Sequence, residues 1–159
     1  MSSHSEQLRP GSLTASIPNF DPRQVPVIGV DRLLPAVALT NQTPQALRAR
    51  FARPPVWQPE VRREDRFSER APTQAAVLIP LVMRDELTVL LTQRTEHLST
   101  HSGQVAFPGG KQDPEDANAT ATALREAQEE IGLAVDQVEV LGSLPVYETG
   151  TAFFVTPVV

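Results

Sequence analysis

Gly109-Gly110-Lys111-Gln112-Asp113-Pro114-Glu115-Asp116, an alanine-rich run, and then Leu124-Arg125-Glu126-Ala127-Gln128-Glu129-Glu130-Ile131-Gly132-Leu133 is the stretch that decides how this chain folds. At about 100° per residue, Glu126, Glu129 and Glu130 share one arc of a helix, while Leu124, Ala127 and Ile131 lie on another side. The apolar side anchors the helix and leaves three carboxylates together. Like charges three and four residues apart repel, and no lysine stands at a matching position to offset them. Such a helix loses stability unless a cation neutralises the cluster. Hard oxygen donors suit magnesium or manganese. The helix is expected to start near Asp116 to Asn118 and to end at Gly132, where glycine fits a left-handed cap.

Gly110, Arg125, Glu126, Glu129, Glu130, Gly132 and Leu133 resemble the signature of the Nudix hydrolases. Five residues separate Gly110 from Asp116 and eight separate Asp116 from Arg125, one more than the family's usual pattern, so either Asp116 or Glu115 fills its acidic position. Upstream, Leu90-Leu91-Thr92-Gln93-Arg94 and Gly103-Gln104-Val105-Ala106-Phe107-Pro108-Gly109-Gly110 resemble the added signature of the coenzyme A pyrophosphatase branch, which tolerates this insertion. Thr95 and Ser99 depart from that pattern. The resemblance covers roughly Ala75 to Val159. It implies an α/β (α+β) fold, an α/β/α sandwich with a mixed sheet. It also implies strands and a second helix beyond Val159, so the domain is expected to be incomplete at its C-terminus.

Phosphoanhydride hydrolysis accumulates charge on the phosphate oxygens, so it needs cations against them and a positioned, deprotonated water. Carboxylates on one rigid helix serve both needs. The expected metal ligands for Mg2+ or Mn2+ are Glu126, Glu129 and Glu130. Glu129, Glu130 and Arg125 are the expected catalytic set, Arg125 acting through a supporting salt bridge to Glu129. Arg94, Gly109 and Gly110 are the expected substrate contacts, with Asp116 and Glu148 as additional candidates. The general base is a carboxylate of the cluster or of a nearby loop such as that of Glu148. The resemblance implies cleavage of coenzyme A or its thioesters to adenosine 3′,5′-bisphosphate and (acyl-)4′-phosphopantetheine. The alternatives are another nucleoside diphosphate derivative such as ADP-ribose, or a non-catalytic Nudix-like binding module. His97 and His101 lack a third ligand partner and read as loop residues.

The rest of the composition narrows the field. A net charge of -5 without a basic run gives no general affinity for nucleic-acid phosphates. Absence of cysteine excludes disulfides, thiolate metal sites and a cysteine nucleophile. No apolar run approaches the roughly 20 residues of a membrane span, and Met1 to Gln7 lacks the pattern of a secretory signal. A cytoplasmic protein with a small nucleotide-like substrate is expected, with a homodimer as the partner at the protein level.

Ten of the fifteen prolines precede Gln74, so residues 1–74 read as an extended, proline-rich arm and residues 75–159 as the hydrolase domain. Within the arm, Thr43-Pro44 followed by helix formers predicts a short helix near 43–52, stopped by Pro54 and Pro55. Its arginines read as a solvated basic face, and Phe51 and Trp57 as residues packing the arm on the domain. Ala75 to Val82 predicts a buried strand forming an antiparallel hairpin with Leu87 to Gln93 across Arg84-Asp85-Glu86, although Pro80 donates no bond to a ladder. Gln104 to Phe107, Val135 to Leu144 and Ala152 to Val159 read as strands, with Pro145 to Gly150 as a loop.

Overall fold

The computed structural model describes residues 26–30, 33, 35–93 and 103–159. Residues 1–30 form a unit of their own, of which 26–30 are exposed and neither helix nor strand. Residues 31–159 form the second unit, which carries everything that follows.

Its centre is a four-stranded mixed sheet. Strand β1 (Thr73–Leu78) runs parallel to β8 (Phe153–Val158), in register from Thr73 opposite Phe153 to Leu78 opposite Val158. On its other side β1 pairs antiparallel with β6 (Gly109–Lys111), and β8 pairs antiparallel with β7 (Tyr147–Glu148). The order is therefore β6-β1-β8-β7, with β6 and β7 as opposite edges. Two small ribbons accompany it: β2 (Leu81–Met83) with β3 (Leu87–Val89), and β4 (Thr92–Gln93) with β5 (Val105–Ala106).

Helix α2 (Ala119–Ile131) covers one face of the sheet. Its Asn118 cap accepts from Ala121 N at 3.0 Å, and Gly132 ends it at φ 68°, donating to Gln128 O at 3.0 Å. Both ends are satisfied as capping physics requires. Ala123 and Ala127 are fully buried against Ala76, Leu78 and Val158. The small alanines let the helix lie close to the strands, and Glu126 and Glu130 reach the β6 edge from it. Leu124, Ile131 and Leu133 pack around this core. The mixed α+β architecture with a mixed sheet agrees with the expectation.

Three strand assignments need correction. The hairpin predicted from 75–82 and 87–93 splits at Pro80: Leu78 N and Ile79 N donate to Pro108 O and Val158 O, whereas Pro80 has no N–H and only accepts, from Leu90 N at 3.1 Å. The first half becomes a central strand of the large sheet, and only Leu81–Met83 forms the hairpin. Residues 135–144 are not a strand. They begin with a 3-10 turn at Val135–Gln137 and then run irregularly beside the end of β8, where Leu144 N donates to Pro157 O and Pro157 returns nothing. The predicted 145–150 loop contains β7 instead.

Upstream of the sheet, helix α1 (Pro44–Ala52) has Thr43 as cap, its Oγ1 accepting from Ala46 N at 3.2 Å. The helix is held against the 139–142 segment by a bidentate Arg48–Glu139 pair at 2.7 and 2.6 Å and by the Phe51 ring lying on Gly142. Arg48 is thus ion-paired rather than simply solvated, and Trp57 is 57% exposed.

Candidate active site

The carboxylate cluster sits where the C-terminal half of α2 passes the β6 edge. Gly110 lies opposite Ala76, on the helix face of the sheet, and the Glu126 carboxylate occupies the space a side chain there would need: a Cβ on Gly110 would stand 2.3 Å from Oε1. One turn on, Glu130 Oε2 accepts from Gly109 N at 3.2 Å. The two glycines of β6 thus each sit against a carboxylate of the helix, and at Gly110 the absence of a side chain is what leaves room for it.

Arg125 closes the other side. Its Nε and Nη2 donate to Asp116 Oδ1 and Oδ2 at 3.1 and 2.9 Å, a bidentate pair, and Nη2 also donates to Lys111 O at 3.0 Å. Its Nη1 lies 3.1 Å from Glu126 Oε1 and 3.4 Å from both Glu129 oxygens. The Asp116 side chain is 7% exposed and takes a further bond from Asp113 N at 2.9 Å, so both its oxygens are engaged in holding Arg125 and the 113–116 turn. Asp116, rather than the exposed Glu115, is the acidic residue facing the arginine. Asp113, 3.7 Å from Arg125, joins the same group; the Asp-Pro-x-Asp pattern was the signal for that turn.

These contacts set the protonation states. Hydrogen bonds from Arg125 and from the Asp113 backbone hold the Asp116 carboxyl far below the usual range, and Asp116 in turn raises Arg125. Burial pushes Glu126 up, partly offset by Arg125 and reinforced by Glu129 and Glu130. The signs are opposite. Asp116, depressed in the fold, contributes stability that is present above its ordinary value near 3.8 and lost as pH falls through its folded value. Glu126, raised, contributes stability that is present below its ordinary value of 4.5 and lost as pH rises through its folded value. Asp116→Asn is therefore expected to lower the thermal midpoint at pH 7 and to flatten its decline below pH 3.8. Melting curves between neutral pH and strongly acidic pH check this; parallel declines in parent and variant would refute the pairing.

The donor set is all oxygen, which suits a hard divalent ion. Among the described residues, however, no three acidic or histidine side chains are gathered as a chelating group. Arg125 occupies the space between Glu126 and Glu129, and Glu130 is turned onto Gly109. Glu148 is not brought to the cluster: it lies on β7, the opposite edge of the sheet from Gly109 and Gly110. Arg94, Thr95, His97, Ser99 and His101 lie outside the described residues.

The family model for the NUDIX domain matches residues 72–158. An uncharacterized Nudix hydrolase NudL from Yersinia enterocolitica is 55% identical over 85 residues, which is 54% of this chain and 44% of that protein. A NudL from Yersinia pestis (strain Pestoides F) is 52% identical over 86 residues, 54% of this chain and 43% of that one. The chain thus spans less than half the length of these curated relatives. A crystal structure of a MutT protein from Methanosarcina mazei Go1 aligns at 24% identity over 57% of this chain and 62% of that chain, with a TM-score of 0.42. The matched span holds the whole sheet, the glycine pair, Arg125 and the three glutamates of α2, and the chain belongs to the Nudix family.

Proposed function

We propose that this chain is a metal-dependent Nudix hydrolase that cleaves the diphosphate of coenzyme A or its thioesters, giving adenosine 3′,5′-bisphosphate and (acyl-)4′-phosphopantetheine. The observation that carries the reading is the seating of Glu126 and Glu130 on the β6 glycines beside an arginine locked by Asp116. Nudix hydrolases generally use divalent cations; Mg2+ or Mn2+ is the ion proposed here, and Glu126, Glu129 and Glu130 are the residues that would hold it. When bound, such an ion supplies positive charge against the phosphate oxygens and acidifies a water. Arg125 keeps Glu126 and Glu129 oriented, and Asp116 keeps Arg125 from following a ligand away. A carboxylate of this cluster takes the proton of the attacking water. Gly109 and Gly110, with Arg94, are the proposed substrate contacts.

The coenzyme A assignment is supported by the Leu90 to Arg94 and Gly103 to Gly110 stretches. A cytoplasmic setting is proposed with it; no described helix is long and apolar enough to cross a membrane. The decisive experiment incubates the chain with coenzyme A and Mg2+ or Mn2+, with and without chelator, beside a parallel reaction on ADP-ribose, and identifies products by mass spectrometry. Metal-dependent 4′-phosphopantetheine is the expected product. Product from ADP-ribose alone would replace the substrate, and no product from either would remove the hydrolase reading for this chain.

A further inference from the structure

The Nudix match begins at residue 72, yet main-chain pairing continues past the β7 edge into the residues before it. Just upstream, residues 62–67 lie along the outer edge of β7 in a parallel pairing of Arg63 with Glu148. Glu148 N donates to Arg62 O at 3.0 Å and Glu64 N to Glu148 O at 2.9 Å; farther along, Phe67 N donates to Gly150 O at 3.0 Å. Two side chains reinforce this main-chain pairing. The Glu64 carboxylate accepts from Gly150 N at 2.8 Å and from the Tyr147 hydroxyl at 3.2 Å. The Phe67 ring lies on bare backbone, because a Cβ on Gly150 would stand 2.3 Å from Cε1.

These are the parts of peptide recognition by strand addition: main-chain bonds for affinity and two side-chain anchors, three residues apart, for selectivity. The segment is nonetheless bound rather than buried. Residues 62–66 are exposed and Phe67 is 40% exposed, whereas Gly150 beneath it is buried. A short connection of residues 68–72 leads from the anchors to β1, folded by Arg66 donating to Ser68 O and Arg70 O. Such a tether supplies a high effective concentration without adding contacts.

We propose that the β7 edge with Gly150 is a strand-binding groove whose ligand is this chain's own segment 62–67, with Glu64 and Phe67 as anchors. Held in cis, the segment closes an edge that would otherwise template pairing with another chain. The groove also braces the turn from Thr149 to Ala152, where Ala152 holds φ 67° while buried and donates to Thr149 O at 2.9 Å.

The test is amide hydrogen exchange on the full chain, comparing the parent with Glu64→Ala/Phe67→Ala. The Glu148 and Gly150 amides are expected to exchange about tenfold faster in the double variant, the order of one net hydrogen bond. The Thr122 and Gly132 amides of α2 should stay as in the parent, which separates release of the strand from loss of fold. A synthetic peptide of residues 60–70, added at millimolar concentration, should restore protection at Glu148 and Gly150. The milder Glu64→Gln keeps an acceptor for Gly150 N and should stay near the parent. Unchanged exchange in the double variant, or accelerated exchange that the peptide does not reverse, would overturn the proposal.

Discussion

Gly110→Ala is expected to lower turnover about 100-fold while leaving the protein folded, the loss typical of a catalytic group displaced by about 1 Å. The atoms nearest the added methyl are the end of Glu126, with Oε1 at 2.3 Å, Cδ at 2.4 Å and Oε2 at 2.6 Å. A glutamate end can swing aside, so the strain is relieved by moving the carboxylate off the β6 backbone and out of its contact with Arg125. Gly109→Ala makes the opposite case one residue away. There the methyl would meet Ala76 O at 2.4 Å and Val77 Cα at 2.6 Å, which are backbone atoms of the paired strand. Neither can rotate away, so β6 must separate from β1, at a cost of about 1–3 kcal/mol by comparison with overpacked cores. Thermal melts and steady-state kinetics on both variants distinguish the two mechanisms. The reading fails if Gly110→Ala melts as early as Gly109→Ala, or if it retains parental turnover.

The same glycines show what the sequence made legible. Helix α2 was readable to within a few residues because three local rules agree: a start among Asp116 to Asn118, the apolar side of Leu124, Ala127 and Ile131, and Gly132 in the left-handed region. The contact of Arg125 with Glu129 was readable from helical spacing, whereas the seat of Glu130 on Gly109 needed the sheet. Strand pairing was less legible, since a single apolar run, Ala75 to Val82, serves two sheets on either side of Pro80. Nothing local says that Leu78 faces Val158, a residue 80 positions away, until both are buried under the same alanines. Glu148 illustrates the same limit: proximity in a loop suggested a shared site, but the sheet order puts it at the far edge. The arm was hardest to read, because segment 62–67 carries no alternation and its pairing depends on Gly150 and Tyr147 far along the chain.

Glu129→Gln and Glu130→Gln are expected to lower turnover by about 100- to 10,000-fold, the range for groups that hold or deprotonate a reacting water. Loss of activity alone would not separate a metal ligand from a structural residue, so stability supplies the second readout. Glu126 and Glu130 are four residues apart and Glu126 and Glu129 three apart, spacings at which like charges destabilise a helix. Glu130→Gln removes one repulsion and keeps an oxygen acceptor for Gly109 N, so its midpoint without metal should equal or exceed the parent's. Glu129→Gln relieves one repulsion while weakening the long contacts to Arg125, of which one acceptor oxygen remains, so it should be close to neutral. With millimolar Mg2+ or Mn2+ the order reverses. The parent gains stability because the ion binds only the folded state, about 2.7 kcal/mol at a hundredfold excess over Kd, and the variants gain less. A side chain that merely supported the fold would lower the metal-free midpoint and leave the metal response intact. Opposite movement of these two quantities is therefore the signature of a carboxylate kept at a cost to the empty helix for the sake of a cation.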